Sequence, residues 1–492
     1  MNLKRLLYKV NVLNIIGSKD LNISGIAFDS RKIKDSFLFV AIKGELADGH
    51  DYIHKSIKSG AVVVVVESVP EIIKPNITYI LVLNSNHALS IIASNFYSNP
   101  SHKINLVGVT GTNGKTTIVS LLFQLFQMFN IKVGMLSTIQ NSIVNTILPS
   151  THTTADPIQL NFLLNKMIEE GCKYCFMEVS SHAILQNRVA GLDFNIGVFS
   201  NITHDHLDYH KTFNEYRDVK KSFFDSLPKA SFSLINKDDK NGQKMTEGFS
   251  GSKLTYSLQS ASNYKCRVLE KQFGGMLLNI NKVDVWVKLV GQFNAYNILA
   301  TYAVANIFGF SDFQILPALS MLSSAEGRFQ CFQSEEKVTA ILDYAHTDDA
   351  LKNVLSTINN IRNNTEVLIT VVGCGGDRDK AKRPLIGAVA CRFSNQVIFT
   401  SDNPRCENPD FIIDDMMQNL TSIQMKEVLV ISDRSQAIKT ACMLASSNDI
   451  VLIAGKGHEK YQEINNERFP FDDLEELKQS LNILTNRITC KN

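Results

Sequence analysis

No excess of one charge, no long apolar run and no cysteine framework mark this chain, and each absence removes a class of function. Lysine and arginine number 50 against 48 aspartate and glutamate. No basic face for nucleic acid or an anionic membrane is expected, so an anionic substrate must be recognised locally. The most apolar stretch, 61–66, is far shorter than the ~20 residues that span a bilayer, and reads as a buried strand. The start, MNLKRLLYKVNVLNII, has its apolar run broken by Lys9 and no small-residue cleavage site after it, so mature protein is expected there. Nine cysteines, an odd number thinly spread, suit reduced thiols in the cytoplasm better than disulfides. Cys172 and Cys175 form a C-x-x-C, but no second pair completes a zinc site, and the apolar Phe176-Met177 that follows makes them core thiols.

What is present is an ordinary globular composition, 44% apolar and 20% charged, over 492 residues, enough for about three domains. Short β-rich runs at 23–28, 37–41, 61–66 and 79–82 alternate with helical stretches up to the linker Asn99-Pro100-Ser101. A strand at 104–109 leads through a glycine loop into a helix over 116–129, and further strands follow near 175–179 and 197–200. After Cys331 the pattern restarts, with strands at 338–343, 367–372, 396–400, 428–431 and 450–454. The expected fold class is α/β in three domains: a small α/β unit over 1–101, a central P-loop ATPase-type parallel sheet over 102–334, and a Rossmann-like unit over 335–492. Ligands of such sheets sit at the carboxyl ends of the strands.

One such end carries Gly111-Thr112-Asn113-Gly114-Lys115-Thr116-Thr117. Backbone N–H groups of a glycine turn surround phosphate oxygens and the helix N-terminus adds partial positive charge. Lys115 is placed to neutralise the β and γ phosphates of ATP, and the Thr116 hydroxyl to ligate magnesium. The strict pattern wants glycine where Val109 stands, so this is a variant loop. By itself it does not separate kinase, ATPase, GTPase or ligase.

The segment His204-Asp205-His206-Leu207-Asp208-Tyr209-His210 has two readings. H-x-H-x-D suggests a zinc hydrolase, although a further histidine expected at 209 is tyrosine. Alternatively one histidine joins Glu178, at the end of the strand near 175–179, in an ATP-bound magnesium site, and the upstream loop favours His206 for it.

The ordered set GTNGKTT, Thr153-Thr154, EVSSHAILQNRV from Glu178, NITHDHLDYH, Lys220, GQFNAYN from Gly291, Gly327-Arg328 and DYAHT from Asp343 resembles the Mur ligases of peptidoglycan synthesis over nearly the whole chain. The C-terminal markers GCGGDRDKAKRP, SDNPRCENP and AGKGHEKYQ most resemble the branch that adds the third peptide residue. The resemblance implies an ATP-dependent, ADP-forming amide ligase that makes an acyl phosphate from a carboxylate and then gives it to an amine. It implies Glu178, His206 and a carbamylated Lys220 as metal ligands beside Thr116, whereas Lys221 is a solvent-facing lysine. Asn294, Arg328 and Asp343 would hold the nucleotide from neighbouring domains. UDP-N-acetylmuramoyl-dipeptide would lie between the first two domains, against Phe28, Ser30, Glu45, Leu46, Ala47, His152, Thr153, Thr154, Ser180, Gln186 and Arg188. His152 stands where some relatives have asparagine, and Glu45-Leu46 replaces a more polar pair.

The family divides chiefly between meso-diaminopimelate and L-lysine, which differ by one distal carboxylate. Asp402, Asn403, Pro404 and Arg405 match the diaminopimelate-adding form, with Arg378, Gly455 and Glu459 at the other amino-acid positions. A guanidinium suits that carboxylate, and lysine would leave Arg405 unpaired at a cost on the order of 2–5 kcal/mol. Asp348 replaces a proline usual in relatives, with effect on loop stiffness rather than chemistry. A cytoplasmic monomer using magnesium, with no nucleic-acid partner and no membrane insertion, is the expectation. A lysine-adding relative, a folylpolyglutamate-synthetase-like ligase, a zinc hydrolase and an inactive nucleotide-binding module are the rival readings.

Overall fold

The valine run Ala61–Val66 is covered on both faces, so it reads as a continuous apolar run and sits in the middle of the first sheet. Its neighbours are Phe37–Val40 and Thr78–Val82, both parallel to it, with Gly25–Ala27 and the antiparallel Val12–Ile16 at the edges. Val12–Ile16 is half-exposed and lacks an alternating pattern, so it carries no strand signal of its own. The helix Ser85–Phe96 closes one face through Ala88, Leu89 and Ile92, and Ile33 and Ile53 close the other. The structure is a computed structural model; it describes residues 1–44, 47–150, 152–203, 210, 212–363 and 365–481.

The second sheet has eleven strands. Its parallel centre is built on Asn105–Thr110, flanked by Ile196–Phe199 and Tyr174–Glu178. The helices Lys115–Met128 and Gln292–Ile307 pack their apolar sides on one face, and Pro157–Glu169 and Phe213–Asp225 on the other. Both edges are antiparallel: Gln140–Ile143 and Thr146–Pro149 at one, and the meander Tyr264–Gln272, Gly275–Ile280, Val283–Val287 at the other. The parallel core expected from sequence is present, and antiparallel strands extend it at both edges. Cys172 and Cys175 are buried free thiols in its core, and burial holds the Cys175 thiol well above its usual value.

The third sheet runs Gln330–Gln333, Thr339–Asp343, Ile450–Ala454, Leu368–Val372, Gln396–Phe399, Val428–Val430, all parallel after the first strand. Asp348–Asn359, Lys382–Phe393 and Pro409–Met417 cover one face; Arg434–Leu444 and Asp473–Leu481 cover the other. Asp348 is the first residue of its helix, which Thr347 caps by accepting from the Ala350 N–H. Proline fits that same first position, and an aspartate there meets the positive end of the helix dipole, so the exchange is locally neutral. A two-stranded hairpin, Tyr461–Ile464 with Glu467–Pro470, follows the last sheet strand. Among the described residues no helix is long and apolar enough to cross a membrane.

Candidate functional site

The glycine loop lies between the strand Asn105–Thr110 and the helix Lys115–Met128. Gly111 has φ +149°, and a Cβ on it would collide with the Ser200 hydroxyl; Gly114 has φ +90°, and its Cβ would stand 2.6 Å from Asn297 Oδ1. Only glycine allows this approach. Asn201 braces the loop: its carbonyl accepts from Thr112 N at 2.8 Å, and its side chain accepts from Asn113 N and donates to Asn113 O. Lys115 Nζ is folded onto the loop, donating to the carbonyls of Gly111 at 2.9 Å and Thr112 at 2.8 Å. Thr116 and Thr117 open the helix, both buried.

Beneath the loop, Lys220 on the helix Phe213–Asp225 is 1% exposed and donates to Gly111 O at 3.0 Å. Tyr216, one turn earlier, lies under the Lys220 ammonium with its hydroxyl 3.1 Å from Thr112 Oγ1. Lys221 turns the other way and pairs with Asp225 at 2.7 Å. Glu178 ends the strand next to Asn105–Thr110, opposite Val109, and is 1% exposed. Its carboxylate accepts from Thr138 N at 2.8 Å and Thr138 Oγ1 at 3.1 Å, and the Thr138 hydroxyl oxygen in turn accepts from Thr153 Oγ1 at 3.1 Å. Glu178, at a strand end, and Thr116, in the first turn of the helix that follows the neighbouring strand, are hard oxygen donors, the donor type magnesium takes. Residues 204–209, His206 included, lie outside the described residues, so neither reading of the histidine segment is decided by the geometry. Among the described residues no group of three or more His, Cys, Asp or Glu could hold a metal ion.

The third sheet closes the nucleotide side. A cavity of about 390 Å³ is lined from the central unit by Asn113, Gly114 and Asn294, and from the C-terminal one by Arg328, Asp343 and Asp349. Arg328 lies over the Tyr344 ring at 4.4 Å and donates to Thr116 Oγ1 at 3.2 Å. Asp343, at the end of Thr339–Asp343, accepts from Phe329 N and Ala345 N, both at 2.7 Å. Burial pushes its carboxyl up to about 6, against the opposing pull of Arg328 and the two amides. Asn297, one turn after Asn294 and donating to it at 3.0 Å, reaches the same wall. Its signal was available in GQFNAYN, where two asparagines three apart share a helix face.

Arg188 spreads its fork over Gln186 Oε1, at 2.9 and 2.6 Å, and donates to Thr154 O at 2.7 Å. Thr154 Oγ1 in turn donates to Glu178 O and accepts from Ser180 N, so Thr153, Thr154, Glu178, Ser180, Gln186 and Arg188 form one connected wall. His152 precedes it on the surface, its carbonyl accepting from Ser150. In the first unit, Phe28 is half-buried, Ser30 buried and Ala47 exposed, whereas Glu45 and Leu46 lie outside the described residues. That unit docks beside the wall through Ser90 Oγ to Asn187 O at 2.6 Å and Ser94 Oγ to Gly191 O at 3.2 Å.

At the C-terminal strand ends, Asp402, Asn403, Gly455 and Glu459 converge on Lys456, which is fully buried. Lys456 Nζ donates to Asn403 Oδ1 at 2.8 Å and stands 3.6 Å from Asp402 and 3.5 Å from Glu459; Asn403 Nδ2 donates to Glu459 at 2.7 Å. Gly455, φ +114°, lets Asp402 approach where a Cβ would meet its carboxylate at 2.6 Å. Pro404 carries Arg405 outward, and Arg405 Nη1 donates to Gly376 O at 2.6 Å. Gly375 separates Arg405 from Arg378, since a Cβ on it would be 3.0 Å from Arg405 Nη1 and 3.7 Å from Arg378 Cγ. Lys456 was invisible in the sequence as a site residue, because only packing shows that it is buried among carboxylates. Arg405 is also not unpaired: Glu463 Oε2 lies 3.4 Å from its Nε, which removes the premise that an amine lacking the distal carboxylate leaves this arginine without a partner.

Three family models match in order: the Mur ligase family catalytic domain over 22–97, the Mur ligase middle domain over 109–305, and the Mur ligase glutamate ligase domain over 327–457. The chain is 49% identical over 485 residues to the UDP-N-acetylmuramoyl-L-alanyl-D-glutamate--2,6-diaminopimelate ligase of Cytophaga hutchinsonii, covering 98% of this chain and 100% of the relative. It is 51% identical to the protein of the same name from Phocaeicola vulgatus, over 97% and 99% of the two chains. A solved structure of a ligase so named superposes with a TM-score of 0.69 at 31% identity, over 98% and 99% of the chains.

Proposed function

The chain belongs to the Mur ligase family, and from that premise we propose that it joins diaminopimelate to the D-glutamate of UDP-N-acetylmuramoyl-L-alanyl-D-glutamate with cleavage of ATP to ADP, in peptidoglycan synthesis. The observation that carries the reading is identity near one half, over almost the full length, with relatives of that name. It takes 1–101 as the uridine-nucleotide unit, 102–334 as the ATP unit and 335–492 as the amino-acid unit, acting as a cytoplasmic monomer; Arg328 and the strand Gln330–Gln333, at the end of the second stretch, are already built into the third sheet's side.

The work of each residue follows from its place. The N–H groups of 111–117 and the helix dipole hold the phosphates, and Lys115 leaves its loop carbonyls to neutralise the γ-phosphate as it moves. The Arg188 wall holds the dipeptide so that its terminal carboxylate reaches that phosphate, giving an acyl phosphate. Thr116, Glu178 and Lys220 as carbamate would hold magnesium with His206, and the ion would supply charge neutralisation between phosphate oxygens. Asp402, Asn403, Gly455 and Glu459 hold the incoming amino acid, with Arg378 and Arg405 facing its carboxylates. Closure of the third unit on the second brings amine and acyl phosphate together while excluding water, which would otherwise hydrolyse the intermediate.

The test is a product assay with UDP-muramoyl-dipeptide, ATP and a panel of diamino acids. ADP release should require the dipeptide and be fastest with diaminopimelate. Faster turnover with lysine, or zinc-dependent hydrolysis indifferent to ATP, overturns the reading.

A further inference from the structure

Arg405 is held by the hairpin that follows the last sheet strand. Its backbone, at φ +50°, donates to Glu463 O at 3.0 Å and accepts from Asn465 N at 2.8 Å, forming a one-residue parallel bridge with Ile464. The Glu463 side chain therefore starts beside the arginine it faces. Its Oε2 stands 3.4 Å from Arg405 Nε, and the two side chains are 22% and 21% exposed, so their attraction is only partly screened. The separation is longer than the ~2.7–2.9 Å of a well-formed charge-assisted hydrogen bond, so the contact is loose. The main chain beneath it is anchored, because Glu463 N donates to Asn403 Oδ1 at 3.0 Å, and Asn403 is fixed by Lys456 and Glu459. Only the carboxylate is placed to swing away.

We propose that Glu463 is an internal stand-in for the distal carboxylate of the amino-acid substrate, and that it sets how sharply Arg405 discriminates between diamino acids. The proposal rests on the reading of the preceding subsection. A diamino acid with a distal carboxylate must displace Glu463 from the guanidinium. One without it leaves the Arg405–Glu463 pair intact, so the arginine keeps an anionic partner. Glu463 thus weakens binding of the right substrate and shelters the wrong one, and its removal should improve selectivity.

Kinetics with diaminopimelate and with lysine decide this, using wild type, Glu463→Gln, Glu463→Ala, and both changes repeated on Arg405→Ala. Glu463→Gln should lower the KM for diaminopimelate by up to about fivefold, the limit for an ion pair of this exposure. The preference for diaminopimelate over lysine should rise in step, and the Glu463 effect should vanish when Arg405 is alanine. A KM for diaminopimelate that rises or does not change overturns the proposal, a rise meaning that Glu463 orients the arginine or holds the distal ammonium instead. Persistence of the effect without Arg405 overturns it too. The glutamine variant keeps the side-chain shape and every backbone bond of the hairpin, so it decides the matter if the alanine variant fails to fold. If lysine is not turned over, the diaminopimelate KM alone decides. Absence of wild-type turnover with diaminopimelate would count against the functional reading, a result distinct from any of these.

Discussion

Successive positions on a helix point roughly 100° apart, and that rotation sends Lys220 under the phosphate loop and Lys221 to the surface. A buried amine beside the loop can react with carbon dioxide when neutral and become an anion, which a solvated lysine has no site to stabilise. Lys220→Ala should lower ligation by about a hundredfold or more, with partial rescue by small carboxylates; wild-type rates in this variant would remove Lys220 from the mechanism. Lys221→Ala should stay within about 0.5 kcal/mol of wild-type stability. Asp343 makes the pH argument. Burial raises its carboxyl to about 6, so it is protonated below that pH and charged above it. With Asp343 holding the nucleotide as proposed, its charged form is the better hydrogen-bond acceptor, so affinity should rise with pH and level off above 6, falling by at most about tenfold per unit on the acid side. Titrating a non-hydrolysable ATP analogue from pH 5 to 8 against wild type and Asp343→Asn checks it, because titration of the phosphates is common to both. Parallel curves would rule out Asp343 as the source.

At the scale of elements, the C-terminal strand ends are aimed by a buried ion pair between two helix starts. Arg434 opens Arg434–Leu444 and Asp473 opens Asp473–Leu481; both side chains are fully buried and joined by two hydrogen bonds of 2.7 Å. Arg434 also donates to Ala454 O at 3.1 Å and Ser401 O at 3.4 Å, the residues just before Gly455 and Asp402. Removing one partner leaves a buried charge, so Arg434→Met should cost the C-terminal unit about 3–5 kcal/mol in urea denaturation. Arg434→Met with Asp473→Leu should regain most of that stability yet keep a raised KM for diaminopimelate, since the carbonyl contacts stay lost. Full recovery of both would confine the pair to a structural role. Strands such as Ala61–Val66 and Ile450–Ala454 were legible because both faces are covered, and the residues at their ends were legible with them. The meander Tyr264–Val287 was not, because its outer face is exposed and the turn at Asn281-Lys282, with φ of +51° and +67°, lacks the glycine that signals such turns. Thr138, Lys456 and Glu463 were illegible for another reason: each acquires its role only when loops remote in sequence pack together.

Across the whole molecule, the second and third sheets meet at the nucleotide cavity, where Phe293 packs edge-on against Phe329 and two hydrogen bonds cross among the described residues. Arg328 reaches Thr116 at 3.2 Å, and Asn113 Nδ2 reaches Asp349 at 3.5 Å. A bound nucleotide would add its own contacts to both walls, so it stabilises the docked arrangement by its binding free energy, about 2.7 kcal/mol at a hundred times Kd. Local opening of either wall then carries that cost. Hydrogen exchange with a non-hydrolysable ATP analogue should therefore slow in two places at once, the loop 111–117 and the segment 343–350. In Arg328→Ala the phosphate loop keeps its own amides and should still gain protection, while 343–350 should gain little. Protection confined to the loop in wild type would mean that the third unit does not close on the nucleotide, and that the amine must reach the acyl phosphate by some route other than this closure.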